Sequence, residues 1–575
     1  MKQRYRLLYN HDGGAMVAPF QPFFDLPFSI DNFVDKTVGH LEGTQVDAVT
    51  WTLGTDNQRL AAQQGPGRAS NLYSHATEVG ERFYELEPPF KSKFWLLHAE
   101  RAREMIEAGA DPPRGVVEQG HRRGLDVLIG FRMNDLHDSR LLWRGNPQLM
   151  WLNRPLRHPV LQNGRLIEEN VVGYICRMKR DHPELLIGEH AGIGKRFALA
   201  FDYARQEVRD FRLALIREAC TKYDLDGVEL DFMRTFIFFK PGAEQAEMPR
   251  MSEFMAQVRA VLDEIGSARG RRLGLVVRTL APLSASRELG LDVAAWLQQG
   301  WIDGLILGID DRSNLPIRDD VNTGHRHGCP VYASIKVDAY QRKGGTPEIF
   351  RAIAANHYRL GVDGIQLFNM NALRDDRGYN PDGFGLGPDY DFQPLREIGS
   401  GDALRFQDKH YLLDNLGTAQ HANGIDGTVF AEWTDDEQEL FLRSEFGTTA
   451  ARTQVPARLA EERPVVLQVA FADDCAAAQR EGRAVAVTLR LSFRDLTGGD
   501  HRIEARLNGS ALPAFTLRDD YPITYTRELA VPPHLLKPAD NQLALAVHRG
   551  DPRVISELWL EDVELVVRYG PRPGR

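Results

Sequence analysis

The 575-residue chain is too long for one ordinary domain and sets an expectation of about two to four. Its 43% hydrophobic and 26% charged residues are those of a globular protein with a large core, and a net charge of -10 with a pI near 6.0 excludes a global basic field for nucleic acid or an anionic membrane surface. No window approaches the roughly 18 apolar residues of a membrane helix, and the 4 cysteines, Cys176, Cys220, Cys329 and Cys475, are too dispersed for a disulfide framework or a zinc site.

The N-terminal run Met1 to Tyr9 is basic and enters a strand-like pattern at once, with no apolar core or small-residue cleavage site of a secretory leader, so cytoplasmic residence is the expectation. Strand-like and helical patterns then alternate over the first two thirds of the chain, the signature of a parallel α/β architecture. A short phrase recurs at the strand starts: Val46-Asp47-Ala48, Leu125-Asp126-Val127, Leu225-Asp226-Gly227, Ile302-Asp303-Gly304 and Val362-Asp363-Gly364. Asp with Gly suits a tight αβ turn, and each phrase marks the bottom of a strand.

Eight strands follow: Tyr5 to Asn10, Ala48 to Leu53, Val127 to Met133, Val228 to Phe232, Leu273 to Leu280, Leu305 to Ile309, Val331 to Val337 and Ile365 to Met370. Helical patterns fall between them, at Glu100 to Ala108, Arg114 to Arg123, Ala204 to Tyr223, Met251 to Ile265 and Pro347 to Arg359. The fold class expected is therefore α/β, a closed (β/α)8 TIM barrel over residues 1–400. A doubly wound open sheet is the alternative, but no Gly-rich phosphate fingerprint follows the first strand. Residues 134–201 form a long insertion after the third strand, carrying Trp143, Trp151, Arg144, Arg154, Arg157, Glu189 and His190, as either a lid over the substrate or a structural plug. Residues 401–425 are expected as a linker with the barrel's closing helix. From 426 to 575 short alternating strands and turn signals such as Asn508-Gly509 predict an antiparallel β-sandwich, an accessory domain for glycan binding, packing or homo-oligomer formation.

Chemistry in such a barrel sits at the C-terminal strand ends. The fourth strand ends Glu229-Leu230-Asp231, and period-two alternation puts both acids on one face. Two apolar-strand carboxylates are costly to bury unless they serve a ligand, a metal or a chemical step. The sixth strand ends Asp310-Asp311. Glycoside hydrolysis needs two carboxyl groups flanking the scissile bond, which gives Asp231 as nucleophile or base, Asp310 as general acid and Glu229 as a deeper hydrogen-bonding member of the catalytic set. Asn10, His11, Trp51, Arg132, Asn134, Asp135, His137, Arg234, Arg278, Lys336 and Asn369 converge on the same rim as candidate substrate-binding residues, aromatic faces for sugar stacking and guanidinium or amide groups for hydroxyls. A purely structural alternative pairs Asp231 with Arg234 or Arg278. No cofactor is required, although Asp135, His137 and Asp138 offer a divalent-cation alternative.

The phrase from Phe201 to Arg209 together with Tyr223 to Phe232 resembles the core of bacterial glycosyl-hydrolase-like (β/α)8 proteins, a branch of the glycoside hydrolase superfamily. The resemblance spans residues 1–400 and implies a carbohydrate substrate, with Asp231 at the active centre. The C-terminal sandwich is similar to the accessory domains of such proteins. Chitinase-type barrels place a catalytic Glu where this chain has Met233, and barrels of the large Glu/Glu clan end their seventh strand in a Glu that Val331 to Val337 lacks. The pattern looks closer to α-galactosidase and α-glucosidase barrels, with one Asp on the fourth strand and another after the sixth. The rival expectations are a metal-assisted lyase, dehydratase or isomerase on a sugar or sugar acid, and a non-catalytic carbohydrate-binding protein.

Overall fold

A computed structural model describes residues 4–11, 31, 34, 35, 38–53, 72, 73, 76–82, 100, 103, 104, 106–135, 160–162, 165–167, 176–188, 190, 195–308, 316–336, 346–368, 393–413, 454–461, 463–496, 502–513, 516–518, 524–549 and 557–571. Eight strands close into a parallel barrel: β1 (Leu7–His11), β2 (Val46–Thr52), β3 (Asp126–Arg132), β4 (Gly227–Asp231), β5 (Gly274–Leu280), β6 (Gly304–Gly308), β7 (Val331–Lys336) and β8 (Gly364–Phe368). Each pairs with its sequence neighbours, and β8 closes on β1 through Leu7, Leu8 and Tyr9. The closed barrel, rather than the open sheet, is the fold.

The helices between strands include α1 (Pro112–Arg122), α2 (Gln206–Lys222), α3 (Glu244–Ala268), α4 (Leu283–Glu288), α5 (Val293–Gln298), α6 (Arg318–Arg326) and α7 (Pro347–Leu360). One apolar core runs between their inner faces and the outward strand positions, including Tyr9, Val49, Trp51, Ile129, Leu230, Val277 and Leu367. Cys176, Cys220, Cys329 and Cys475 are buried and form no disulfide among the described residues. Among the described residues no helix is long and apolar enough to cross a membrane.

The recurring Asp phrase has a structural explanation at the N-terminal face. Asp47, at the start of β2, accepts the Arg6 amide at 2.7 Å; Asp226, before β4, accepts the Val127 amide at 2.8 Å. Asp303, before β6, accepts the Leu275 amide at 2.9 Å, and Asp363, before β8, accepts the Val331 amide at 2.8 Å. Each of these carboxylates thus ties an even-numbered strand to the odd-numbered strand before it. Asp126, at the start of β3, instead accepts the Tyr5 hydroxyl at 2.9 Å. The glycines that follow three of these acids do not occupy positive-φ turns, which fall instead at Gly124, Gly270, Gly300, Gly328 and Gly361. Space decides two of them: a Cβ on Gly227 would lie 2.4 Å from the Gly274 carbonyl oxygen, and one on Gly364 would lie 2.3 Å from that of Tyr5.

Asp226 also bonds His121 Nε2 at 2.8 Å and Arg271 Nη1 at 2.7 Å. Burial opposes its ionisation, but the Val127 amide, His121 and Arg271 outweigh it and hold the carboxyl below the usual aspartate range. A depressed folded pKa contributes stability above the unfolded value of about 3.9, lost as pH falls through the folded value. Asp226→Asn is therefore expected to cost about 2 kcal/mol at neutral pH, with the gap from wild type closing below about pH 4. Urea unfolding at the two pH values measures it.

The C-terminal part is antiparallel. Its strands are β9 (Lys409–Leu412), β10 (Ala457–Leu459), β11 (Val465–Ala470), β12 (Val485–Arg494), β13 (Arg502–Leu507), β14 (Ser510–Ala511), β15 (Thr516–Arg518), β16 (Thr524–Val531), β17 (Asp540–Arg549) and β18 (Leu558–Tyr569). One sheet has the order β9-β18-β12-β16-β15 with β10 also on β18; the other runs β11-β17-β13-β14. Both give side chains to one core, among them Leu489, Leu491 and Val567 from the first and Leu467, Leu507 and Leu545 from the second, which makes a sandwich. Lys409–Leu412 falls in the stretch expected as linker and closing helix, yet it is a strand: its burial alternates and it pairs with Glu564 to Val567. The expected strands Thr428 to Trp433 and Glu439 to Leu442 lie outside the described residues.

The sandwich docks on α7. Ala352 joins its core, Asn356 donates to the Ala470 carbonyl at 3.3 Å, and Arg359 donates to Asp540 at 2.8 Å.

Candidate active site

Strand alternation and the registers sort the inward side chains into tiers drawn from alternate strands, as a closed parallel barrel requires. Ala48 lies below an apolar tier of Leu8, Leu128, Val276 and Tyr332. Above it come Thr50, Glu229, Ile306 and Gln366, then Asn10, Gly130, Arg278 and Ser334, then Thr52, Asp231, Gly308 and Phe368. The lumen therefore changes from hydrocarbon to polar halfway up, at Glu229.

Glu229 is fully buried. Its Oε2 accepts from Thr50 Oγ1 at 2.8 Å and from Gln366 Nε2 at 2.9 Å, both in its own tier. Burial first, and the Asp231 charge second, push its carboxyl up to about 7, against the pull of Thr50, Arg278 and Gln366 toward the ion. An acid raised on folding binds its extra proton in the native state between the unfolded value of about 4.3 and the folded one, so stability falls as pH rises through that window. Wild type is expected to lose stability between about pH 5 and pH 7, and Glu229→Gln to flatten that slope. Urea midpoints across the range read the difference.

Asp231 lies two residues nearer the C-terminal end, 4% exposed. Its Oδ1 accepts from Arg278 Nη1 at 2.9 Å and from the Met233 amide at 2.8 Å. Among the described residues no donor reaches Oδ2. The arrangement anchors one oxygen and leaves the other to the lumen. Arg278, 1% exposed, also donates from Nε to Ser334 Oγ at 3.4 Å. Its guanidinium stacks on Phe368, 3.9 Å from the ring centroid, a cation–π contact across the lumen. Arg234 reaches the same ring at 5.9 Å. Of the two arginines expected as structural partners of Asp231, Arg278 makes the pair.

Met233, where chitinase-type barrels carry their acid, has an apolar role. Its side chain occupies the space over Gly308, within 2.7 Å of where a Cβ would stand, and clusters with Leu280 and Ala285.

Arg132 points inward one tier above Asp231 and donates to Asp135 Oδ2 at 3.1 Å. Asn134 is a backbone clamp: Nδ2 donates to the carbonyls of Phe201 at 2.9 Å and Ile237 at 2.7 Å, and Oδ1 accepts the Phe201 amide at 3.0 Å. It ties the exit of β3 to the end of the long insertion and to the segment after β4, which gives it a positioning place rather than contact with a ligand. Lys179, fully buried, donates to the Asp135 carbonyl at 3.1 Å and reinforces that junction.

His11 and Trp51 do not enter the lumen. They occupy outward positions of β1 and β2, and their rings stack on each other at 4.8 Å, tilted by 10°. Trp51 belongs to the core beneath the helices. The physical reason is parity, since Asn10 and Thr50 take the inward positions and their chain neighbours must face out. Asp310, His137 and Asn369 lie outside the described residues, as do Asp12, Asp138, Trp143 and Trp151; Lys336 ends β7, and its side chain also lies outside them. Thr50, Ser334, Gln366 and Phe368 complete the lumen and were absent from the sequence-derived set. Strand parity counted from Asp231 and Asn10 was the signal that could have found them.

These features define a (β/α)8 barrel whose lumen carries a carboxylate–guanidinium centre at the C-terminal end of β4, followed by a β-sandwich. No family model matches the sequence, and no curated protein matches it. Solved structures that align with it include the following three. The PgaB (BpsB) glycoside hydrolase domain from Bordetella bronchiseptica aligns at 10% identity over 69% of this chain and 99% of its own, with a TM-score of 0.37. Alpha-L-fucosidase isoenzyme 2 from Paenibacillus thiaminolyticus aligns at 12% identity over 73% of this chain and 50% of its own, with a TM-score of 0.37. An alpha-galactosidase from Geobacillus stearothermophilus aligns at 11% identity over 95% of this chain and 56% of its own, with a TM-score of 0.35. At these scores they supply no residue roles.

Proposed function

We propose that this protein is a glycoside hydrolase that cleaves a glycosidic bond at the C-terminal mouth of the barrel, with Asp231 as nucleophile or base and Asp310 as the general acid. The observation that carries the reading is the Asp231 carboxylate itself, at the lumen end of β4, with both donors on Oδ1 and none on Oδ2 among the described residues. Such a group is held by Arg278 and oriented by the Met233 amide, while Oδ2 faces the reacting carbon or the attacking water. Hydrolysis passes through an oxocarbenium-like transition state, and a fixed carboxylate beside it stabilises the developing positive charge. Arg278, locked between Ser334 and the Phe368 ring, keeps that carboxylate in place before substrate arrives. Arg132 is placed to reach hydroxyls above Asp231, and the sandwich serves as an accessory domain.

A screen of aryl glycosides and oligosaccharides with wild type and Asp231→Asn tests the reading. Turnover of at least one glycoside by wild type, lost in the variant, supports it; turnover that survives in the variant removes Asp231 from the mechanism.

A further inference from the structure

Three buried oxygens in the middle of the lumen have no hydrogen-bond partner among the described residues: Glu229 Oε1, Gln366 Oε1 and Asn10 Oδ1. Glu229 and Gln366 share a tier and are joined through Oε2 and Nε2 at 2.9 Å. Asn10 stands in the tier above, paired in register with Thr50, which itself bonds Glu229. Gly130, the register partner of Glu229, contributes no side chain to that tier. A Cβ there would approach Thr50 and Thr52 at 3.0 and 3.2 Å.

An amide oxygen only accepts, so these three oxygens cannot satisfy each other while Glu229 is ionised, and each such buried group costs about 1–3 kcal/mol. A proton on Glu229 turns one acceptor into a donor for another.

We infer that Glu229 and Asp231 share one proton, held on Glu229 Oε1 and donated to an amide oxygen of Asn10 or Gln366, so that Asp231 alone carries the negative charge of the pair. Glu229 is then a positioning residue for the proposed hydrolysis. It takes the proton that would otherwise compete for the nucleophile, and it depends on that proposal for its catalytic meaning but not for its titration.

The surroundings decide the direction of sharing. From β1 and β8 the facing groups are the neutral Asn10 and Gln366; from β2, Thr50; from β6, Ile306 and Gly308; from β7, Ser334 and the Tyr332 phenol, which burial pushes further up. Among the described residues the charged groups are Arg278 from β5, bonded to Asp231 and not to Glu229, Arg132 from β3, bonded to Asp135, and Arg234 after β4, over the Phe368 ring. The guanidinium therefore favours the ion at Asp231, and the deeper acid, with neutral partners, keeps the proton. Titration of the pair is coupled, and its upper step belongs mainly to Glu229.

Carbon NMR of protein labelled at the glutamate side-chain carboxyl reads this without any substrate. Wild type is expected to show one glutamate carboxyl, absent in Glu229→Gln, titrating near neutral pH. Asp231→Asn should move that midpoint down by about one pH unit or more, because the like charge beside it is gone. Glutamates that all titrate below about pH 5 in wild type, or a midpoint unmoved in Asp231→Asn, would overturn the inference. The Asp231→Asn shift itself assigns the resonance if Glu229→Gln fails to fold. Because neither result requires turnover, an absent glycosidase activity would sink the proposed function while leaving the shared proton standing or falling on its own titration.

Discussion

Asp231→Asn is expected to lower turnover of a cleavable aryl glycoside by on the order of 10⁴-fold or more while the protein remains folded. The substitution is nearly isosteric. The asparagine carbonyl still accepts from Arg278 and from the Met233 amide, the two bonds that orient residue 231. What it loses is the negative charge on the carboxylate, the group required to attack or to activate water. The comparison therefore separates chemistry from architecture: kcat is read by steady-state kinetics, and folding by circular dichroism and urea unfolding. Unchanged kcat in a folded variant would leave Asp231 as a structural partner of Arg278 and put the chemistry on other groups.

Arg278→Met is expected to cost about 3–5 kcal/mol of stability, the loss seen when one member of a buried ion pair is removed. Arg278 is nearly inaccessible and makes three described contacts of different kinds: the Asp231 ion pair, the Ser334 hydrogen bond and the Phe368 stack. Methionine fills part of the volume but strands the Asp231 carboxylate in a low-dielectric lumen beside Glu229. Arg278→Lys should recover part of the stability and little of the geometry, since an ammonium cannot reproduce the planar fork that bonds Ser334 and Asp231 while stacking on Phe368. Urea unfolding measures both. A loss below about 1 kcal/mol for Arg278→Met would show that the pair behaves as a hydrated surface contact.

The two sets of carboxylates at opposite ends of the barrel have different work. Asp47, Asp226, Asp303 and Asp363 at the N-terminal face each accept a backbone amide from the preceding strand. Their recurrence in the sequence is a repeated stability device. Among the described residues Glu229 and Asp231 accept donors on one oxygen only, on strand positions that point into the lumen. That asymmetry separates the acids that clip strands from the acids of the lumen.

Local signals in the sequence determined much of this architecture. Apolar runs, five of them opened by the Asp phrase, placed all eight barrel strands to within a few residues, because strand burial on both faces leaves continuous hydrophobic segments bounded by turn chemistry. The same-face placement of Glu229 and Asp231 followed from period-two geometry, and their depth order from distance to the strand end. Tertiary structure alone decided which arginine met Asp231, since Arg234 and Arg278 are both near in pattern and the choice depends on the β4–β5 register, Asp231 against Arg278. It also sent His11 and Trp51 outward, made Asn134 a clamp on Phe201 and Ile237, and turned Lys409–Leu412 into a sandwich strand. Each of these depends on what a residue meets across strands or domains that are distant in the chain. Local periodicity fixes a side chain's face but not its partner, and the partner sets the charge and hydrogen bonding of the Asp231 centre.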